Sequence, residues 1–384
     1  MSDLLLFLLN GLWAVITLIF LVPIATTYFH RQQLDPTENS KQGERPLVSI
    51  IIPARDEARN IGQALQCITQ LDYPEERLEV IVVNDRSTDG TAEIVNQYSA
   101  EHANIRLLDA PPLPEGWSGK SHGCRHGANA AHGEWIVFID ADTYVKPQLI
   151  ESAIAYAGSN EIELLSLIPF QIVASFQERI SLPAIFLGFA SVIDFRRVND
   201  PDDPQAVANG QFLLFSRSGY QRIGGHEAIR HALSDDLAFA RRAKELGLKF
   251  RCLFADRLIE TRMYRSLAEV WGGFSRNSVD IMRVTSLLPL LIRALRSLLL
   301  AAGLVLLPAV TLLIEGVIVT PTTAISFATL FILVATFLLT LKELRIPLWY
   351  LLATPFGLAV HGGLLINSYI QKKRGRRVWK GRAY

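Results

Sequence analysis

The chain has 384 residues, half of them apolar and 20% charged, with a formal net charge of +1. A mean hydropathy of +0.24 is high for a soluble enzyme with that many charges, so polar and membrane portions share one polypeptide. The near-neutral balance excludes a general electrostatic case for nucleic acid, and the cysteines Cys67, Cys124 and Cys252 have neither disulfide nor zinc spacing.

Leu4 to Tyr28 is an apolar run of about one bilayer-spanning length. It has no basic stretch before it and no small-residue cleavage site, which predicts a retained anchor rather than a cleaved signal. His30 and Arg31 come immediately after it, whereas Asp3 is the only charge ahead, so the positive-inside bias places the chain beyond Arg31 in the cytoplasm. Residues 31–45, with Pro36 and Gly43, read as a linker.

From Leu47 the pattern becomes strands alternating with helices. Leu47-Val-Ser-Ile-Ile-Ile52 is a buried-strand run stopped by Pro53, and Ala58 to Leu71 reads as a helix. Leu78-Glu-Val-Ile-Val-Val83 is a second strand, followed by Ser87-Thr-Asp-Gly-Thr91 as turn and cap chemistry for a helix to about Tyr98. Ile105-Arg-Leu-Leu108 is a third strand, and a Pro/Gly-rich loop leads to a helix around Lys120–Ala131. Then comes Gly133-Glu-Trp-Ile-Val-Phe-Ile-Asp-Ala-Asp-Thr143, an apolar strand from Trp135 to Ile139 ending in two acids. Strand–helix alternation of this kind predicts an α/β fold with a mostly parallel sheet.

The next portion, to about Arg265, is less regular. Leu164 to Phe170 and Phe212 to Phe215 read as strands, and the apolar stretch Ile180 to Ile193 as a segment against a membrane surface. Asp235 to Leu246 has a helical period with acids first and Gly247 as its stop. Beyond Ile281, the segments Leu298 to Val319, Ala324 to Leu341 and Ile346 to Ile370 are membranous. Arg293 and Arg296 argue that Ile281 to Ser297 lies at the interface. Keeping both Lys342-Glu-Leu-Arg345 and the tail Lys372-Lys-Arg-Gly-Arg-Arg377 inside requires that Ile346–Ile370 not cross, bending near Pro355 instead. The expected organisation is an anchor at 1–30, a linker at 31–45, an α/β domain at 46–280, a membrane region at 281–371 and a basic tail at 372–384.

Asp140 and Asp142 stand where a parallel sheet presents ligands, at a strand's carboxyl end. Strand geometry continued through Asp142 puts both on one side, and hard oxygen ligands suit Mg²⁺ or Mn²⁺ holding phosphate oxygens. Two acids after a strand also fit a plain acidic turn. Four further motifs weigh on that choice: Pro53-Ala-Arg-Asp-Glu57, Asn84-Asp-Arg-Ser-Thr-Asp-Gly-Thr91, Gly119-Lys-Ser-His-Gly-Cys-Arg-His-Gly127 and Ser234-Asp-Asp-Leu-Ala-Phe-Ala-Arg241.

In this order and spacing they resemble a family 2 glycosyltransferase with the GT-A nucleotide-sugar fold, over roughly Pro46 to Arg265. Terminal membrane helices, Leu113-Pro-Glu-Gly-Trp-Ser-Gly-Lys120, Arg262-Met-Tyr264 and Trp379-Lys-Gly-Arg382 resemble the branch of hopanoid-associated, carotenoid and ceramide glycosyltransferases. The resemblance implies that Asp85 accepts from the nucleotide base, that Pro53, Arg55 and Glu57 shape the nucleotide pocket, and that Lys120 faces the diphosphate. It implies that Asp140 and Asp142 hold the metal, with Asp140 also at the donor, and that Asp236 is the general base. Asp235 precedes it where the family carries Glu. Gln211 fits a loop on the acceptor side or a turn before a strand, and Arg262 and Tyr264 either cap the site or belong to a membrane-surface helix. Arg125 stands where many relatives carry Asn, and Arg374, Arg377 and Trp379 depart from the family's Arg/Gln-x-x-Arg-Trp spacing, so none of these receives a role. The histidines His122, His126, His132 and His226 are read as structural or surface residues.

The resemblance implies a multi-pass enzyme of the cell membrane with a cytoplasmic catalytic domain. It would transfer sugar, with inversion, from a UDP-linked donor to a lipid hydroxyl such as that of a hopanoid, carotenoid, ceramide or glycerolipid. The basic tail would bind anionic headgroups. A processive polysaccharide synthase and a non-catalytic sugar-nucleotide or lipid-binding scaffold are the rival readings.

Overall fold

A computed structural model describes residues 3–37, 45–232, 234–281, 286–316 and 318–374, with short backbone stretches at 378–379 and 382–383. Much of the expected linker, at 38–44, and the core of the basic tail, at 375–377, lie outside the described residues. The chain divides into two compact units, one formed by 31–171 and 195–263 and the other by 1–30, 172–194 and 264–384.

The first unit is built on a seven-stranded sheet in the order β3-β2-β1-β4-β8-β6-β9. Its strands are β1 (Val48–Ala54), β2 (Leu78–Asn84), β3 (Ile105–Asp109), β4 (Trp135–Ile139), β6 (Leu164–Ile168), β8 (Phe212–Ser216) and β9 (Phe250–Phe254). All run parallel except β8, which pairs antiparallel with both β4 and β6. A small second sheet joins β5 (Thr143–Val145), β10 (Ile259–Thr261) and β7 (Phe170–Gln171). Continuous Val/Ile runs give strands buried on both faces, and Val48, Ile50, Ile52, Val80, Val82, Val137 and Leu165 meet in one core. The expected α/β architecture is what forms. Strand β1 runs on through Pro53 to Ala54 rather than stopping before it, because the register to β2 continues to the pair Ala54–Asn84.

Helices α2 (Ile61–Ile68), α3 (Thr91–Glu101) and α4 (Gly119–Ala130) make the first crossovers. The chain moves outward from β1 to β2 and β3, then returns through α4 to β4 on the other side of β1. This reversal leaves a crevice beyond the carboxyl ends of β1 and β4, the place where open α/β sheets bind ligands. Helices α5 (Leu149–Ser159), α7 (Phe195–Asn199), α8 (Arg217–Arg222) and α9 (Asp235–Glu245) complete the unit. Gly127 lets α4 lie close on the sheet, since a Cβ there would come within 2.5 Å of Ile51 Cγ2 and 2.9 Å of Val83 Cγ2.

The second unit is apolar and helical: α1 (Asp3–His30), α6 (Phe176–Ala190), α10 (Leu267–Ile281), α11 (Leu287–Glu315), α12 (Pro321–Glu343) and α13 (Thr354–Lys373). Four segments are long and apolar enough to cross a membrane: Asp3–His30, Leu287–Glu315, Pro321–Glu343 and Leu348–Lys373. Their core joins Trp13 and Phe20 of α1 to Ala184 and Leu187 of α6, Leu300, Phe337 and Leu358. Asn10 adds a polar link, donating to Thr311 Oγ1 at 3.2 Å.

Two segments have bounds that the sequence did not mark. The stretch with Arg293 and Arg296 is continuous with the apolar span after it, as one helix from Leu287 to Glu315. Arg296 finds a local partner there, donating to Ser191 Oγ at 2.6 Å. At the expected bend near Pro355, a 3₁₀ helix, Leu348–Ala353, leads directly into α13. Proline sits in the first turn of α13, where a missing N–H costs nothing, and the helix continues through Gly362 and Gly363.

Candidate active site

The crevice is shaped first by two interlocked loops. The chain leaves β1 at Arg55 and β2 at Asp85, and the next residue of each, Asp56 and Arg86, adopts positive φ of 51° and 55°. Such backbone persists only where its surroundings enforce it. Here Asp56 N–H donates to Ser87 Oγ at 3.1 Å, Thr88 N–H to Asp56 Oδ1 at 2.9 Å and Ala58 N–H to Asp89 Oδ2 at 2.9 Å. The polar residues expected to cap α3 are therefore spent largely between loops, and Gly90 takes the cap position. Arg55 lies 3.6 Å from the Asp85 carboxylate and Asp85 is buried, while Glu57 accepts from Asn60 at 2.9 Å. Pro53 packs against Gly123 of α4, leaving a substituent there only 3.8 Å from its ring.

Beyond β4 the two acids follow in a turn. Strand geometry ends at Ile139, and Thr143 N–H donates to Asp140 O at 3.1 Å. The expected strand alternation therefore does not place Asp142; a turn does, held by Thr261 Oγ1 donating to Asp142 O at 3.1 Å. Thr261 in turn accepts from Gln211 Nε2 at 2.9 Å, so Gln211 is tied into the small sheet behind the turn.

Lys120 opens α4, whose N-cap Ser118 accepts from Ser121 N–H. Its ammonium reaches Asp140 Oδ1 at 2.7 Å and Asp235 Oδ2 at 3.6 Å. Asp236 accepts from Gly210 N–H at 3.0 Å through Oδ2 and from Leu237 N–H at 2.7 Å through Oδ1. Because β8 is antiparallel, the turn before it, Asn209-Gly210, comes to the same sheet edge as the carboxyl ends of β1 and β4. Gly210 leaves room for that approach: a Cβ would sit 3.2 Å from Lys120 Nζ and 3.4 Å from Asp236 Oδ2.

The charges are strained in a consistent direction. Burial, then repulsion from Asp140 and Glu57, pushes the Asp142 carboxyl up to about 7. Burial also raises Asp140, against the pull of the Lys120 ammonium. Burial and the neighbouring Asp235 charge push Asp236 up to about 6. Burial by itself would lower Lys120, but the Asp140 and Asp235 carboxylates outweigh it and hold it well above its ordinary value. Asp142 Oδ1 is sealed from solvent with no hydrogen-bond partner among the described residues. A hard-oxygen donor pair with an orphaned buried acceptor and excess negative charge is what a divalent cation satisfies. The residues present fit Mg²⁺ or Mn²⁺.

The structure thus brings together Arg55 with Asp85, and Lys120 with Asp140 and Asp235. Asp142 and Glu57 lie within electrostatic reach of Asp140. Arg125 pairs instead with Glu227 at 3.0 Å and stacks over Trp117. Tyr264 belongs to the helical unit, where its ring meets Phe274. Sequence reasoning missed Asp235 as a partner of Lys120 and Gly210 as a donor to Asp236. His226, read as structural or surface, is buried beside Cys124 and Asp235, with one ligand atom of each within 4.8 Å of the others, and its Nδ1 lies 2.8 Å from the Tyr220 hydroxyl. Asn-Gly before a strand, and acids opening a helix, are too common to have signalled either contact.

Residues 49–224 match the family described as "Glycosyl transferase family 2". Over 233 residues the chain is 32% identical to the 4,4'-diaponeurosporenoate glycosyltransferase of Staphylococcus aureus strain USA300, covering 58% of this chain and 59% of that one. The strain MRSA252 enzyme of the same name matches with the same identity and extent. The match thus spans 59% of the length of these curated relatives. Among solved structures, the mannosyltransferase PcManGT from Pyrobaculum calidifontis, in complex with GDP-Man and Mn2+, is 18% identical with a TM-score of 0.56, covering 95% of this chain and 99% of that one. At that identity the likeness shows the fold, which is GT-A. Over this portion the chain is thus similar to glycosyltransferase family 2.

Proposed function

We propose that the protein is a membrane-anchored, metal-dependent, inverting glycosyltransferase that moves a sugar from a nucleotide sugar to a lipid hydroxyl. The observation that carries this reading is the convergence of Asp85, Lys120, Asp140, Asp142 and Asp236 at one edge of the sheet. Asp85 accepts from the nucleotide base, in a pocket that Pro53, Arg55 and Glu57 shape. Asp140 and Asp142 hold the metal, which when bound offsets charge on the departing nucleoside diphosphate. The Lys120 ammonium, 2.7 Å from Asp140, would add a second positive charge toward the same diphosphate. Asp236, fixed by two backbone N–H groups, takes the proton of the acceptor hydroxyl as its oxygen attacks the anomeric carbon. The bond between that carbon and the phosphate oxygen breaks, its electron pair leaves with the diphosphate, and the configuration inverts.

A UDP-linked sugar and a hopanoid, carotenoid, ceramide or glycerolipid acceptor are the substrates this reading names. The relatives' name supports a carotenoid-class acceptor. Membrane helices fit such an acceptor, because each CH₂ withdrawn from an apolar phase costs about 0.8 kcal/mol. His30 and Arg31 at the end of α1, and Lys342 and Arg345 after α12, favour a catalytic unit on the cytoplasmic face. The basic tail favours contact with anionic headgroups.

Incubating the purified protein with Mn²⁺, a panel of labelled sugar nucleotides and a lipid extract tests the proposal. One lipid carrying a single added sugar of inverted configuration is expected. A ladder of long products would point to a processive synthase, and no turnover of any donor would point to a non-catalytic scaffold.

A further inference from the structure

The helical unit contains a charge that no side chain among the described residues neutralises. Arg296 lies in α11 with its guanidinium over the ring of Phe20 in α1, 5.0 Å from the centroid. It donates to Ser191 Oγ, at the end of α6, at 2.6 Å. Ser191 spends its own proton on Gly188 O at 2.7 Å, so toward Arg296 it is an acceptor only. Arg296 Nε is sealed from solvent and has no hydrogen-bond partner among the described residues. Among those residues no carboxylate pairs with it, and the charge acting on it is a like one, Arg293. A guanidinium left this way in an apolar bundle is costly unless an anion joins it.

Its depth suits a headgroup. Helix α11 has 29 residues, about 43 Å against a hydrocarbon core of about 30 Å, so one end extends beyond that core. Arg296 lies about 14 Å from the first residue of α11, beside Ser191, the C-cap of α6. The polar seam continues beside it, Ser297 Oγ meeting His361 Nδ1 at 2.9 Å, with His361 Nε2 also buried and unpartnered among the described residues. Gly188 gives that imidazole its space, since a Cβ would lie 2.3 Å from the ring. Arginine's planar fork matches two oxygens of one anion, whether carboxylate or phosphate.

We propose that Arg296 and Ser191 form a headgroup site for an anionic amphiphile, binding its carboxylate or phosphate oxygens while its chain lies against the helices. The site stands apart from sugar transfer and is tested without it. The full chain, purified in neutral detergent, is titrated with oleate, phosphatidylglycerol and uncharged monoolein, with binding read by native mass spectrometry or intrinsic tryptophan fluorescence. Salt of about 0.5 M screens contributions from the basic tail. At least one anionic amphiphile is expected to bind ten or more times more tightly than monoolein. Preference for oleate assigns the site to carboxylates, and preference for phosphatidylglycerol assigns it to phosphates. Arg296→Met is expected to abolish the preference. Arg296→Lys, which keeps the charge and protects against a folding failure, is expected to weaken it several-fold. Equal binding of all three amphiphiles by the native chain, or an undiminished preference in either variant, overturns the proposal.

Discussion

Replacing Asp236 by Asn removes the base while preserving the shape of the side chain. In the native chain both carboxylate oxygens accept backbone N–H groups, from Gly210 at 3.0 Å and Leu237 at 2.7 Å. Asparagine has one acceptor oxygen, so its amide nitrogen must face one of these donors, which costs about 1–3 kcal/mol. The opposite term is similar in size. A carboxyl raised from 3.8 to about 6 carries about 3 kcal/mol of ionisation penalty at neutral pH, and the substitution relieves it. The two effects nearly cancel, so thermal stability should change little. Loss of a positioned base costs about 10²–10⁴-fold in rate, about 3–5 kcal/mol of barrier. The assay is transfer of labelled sugar to lipid with Mn²⁺, beside calorimetric titration with the nucleotide diphosphate and a thermal melt. Transfer within a few-fold of native, or a rate loss matched by collapse of the melt, would refute the role given to Asp236.

The remaining predictions concern charge and packing. In chelator, Asp142 and Asp236 have folded-state values of about 7 and about 6, above their unfolded value of 3.8, so the folded chain holds protons more tightly. Stability should therefore fall as pH rises from 5 to 8, by at most about 1.4 kcal/mol per unit for each group; urea melts that stay flat or improve over this range contradict it. The transfer rate should rise with pH through a limb near 6 as Asp236 ionises. Asp142→Asn should weaken Mn²⁺ binding tenfold or more by calorimetry while stabilising the chelated protein at pH 8, and native affinity would remove Asp142 from the metal site. Gly127→Ala forces a methyl to 2.5 Å from Ile51 Cγ2 and should cost about 1–3 kcal/mol in the melt; an unchanged melt would mean that α4 shifts freely on the sheet.

Much of this was legible in the residues because it rests on local pattern. Valine and isoleucine runs specify strands buried on both faces, and a parallel sheet brings their carboxyl ends to one edge. Pattern was therefore enough to put Arg55, Asp85 and Asp140 just beyond the carboxyl ends of β1, β2 and β4, on one edge of the sheet. Apolar length likewise marked the four apolar segments, although the charge pattern had the fourth not crossing. What the sequence could not state depends on distant partners. The turn at Asp140–Thr143 is set by Thr261, the pairing of Lys120 with Asp235 by the docking of α4 and α9, and the approach of Gly210 to Asp236 by the reversed direction of β8. Arg296 is the clearest case: by composition it marked an interface, while only the packing of α1, α6 and α11 left its Nε buried and its guanidinium without a counter-charge among the described residues. Pattern fixes which atoms reach an edge, but the electrostatic state of a group depends on every charge and dipole enclosed with it, and those come from the whole chain.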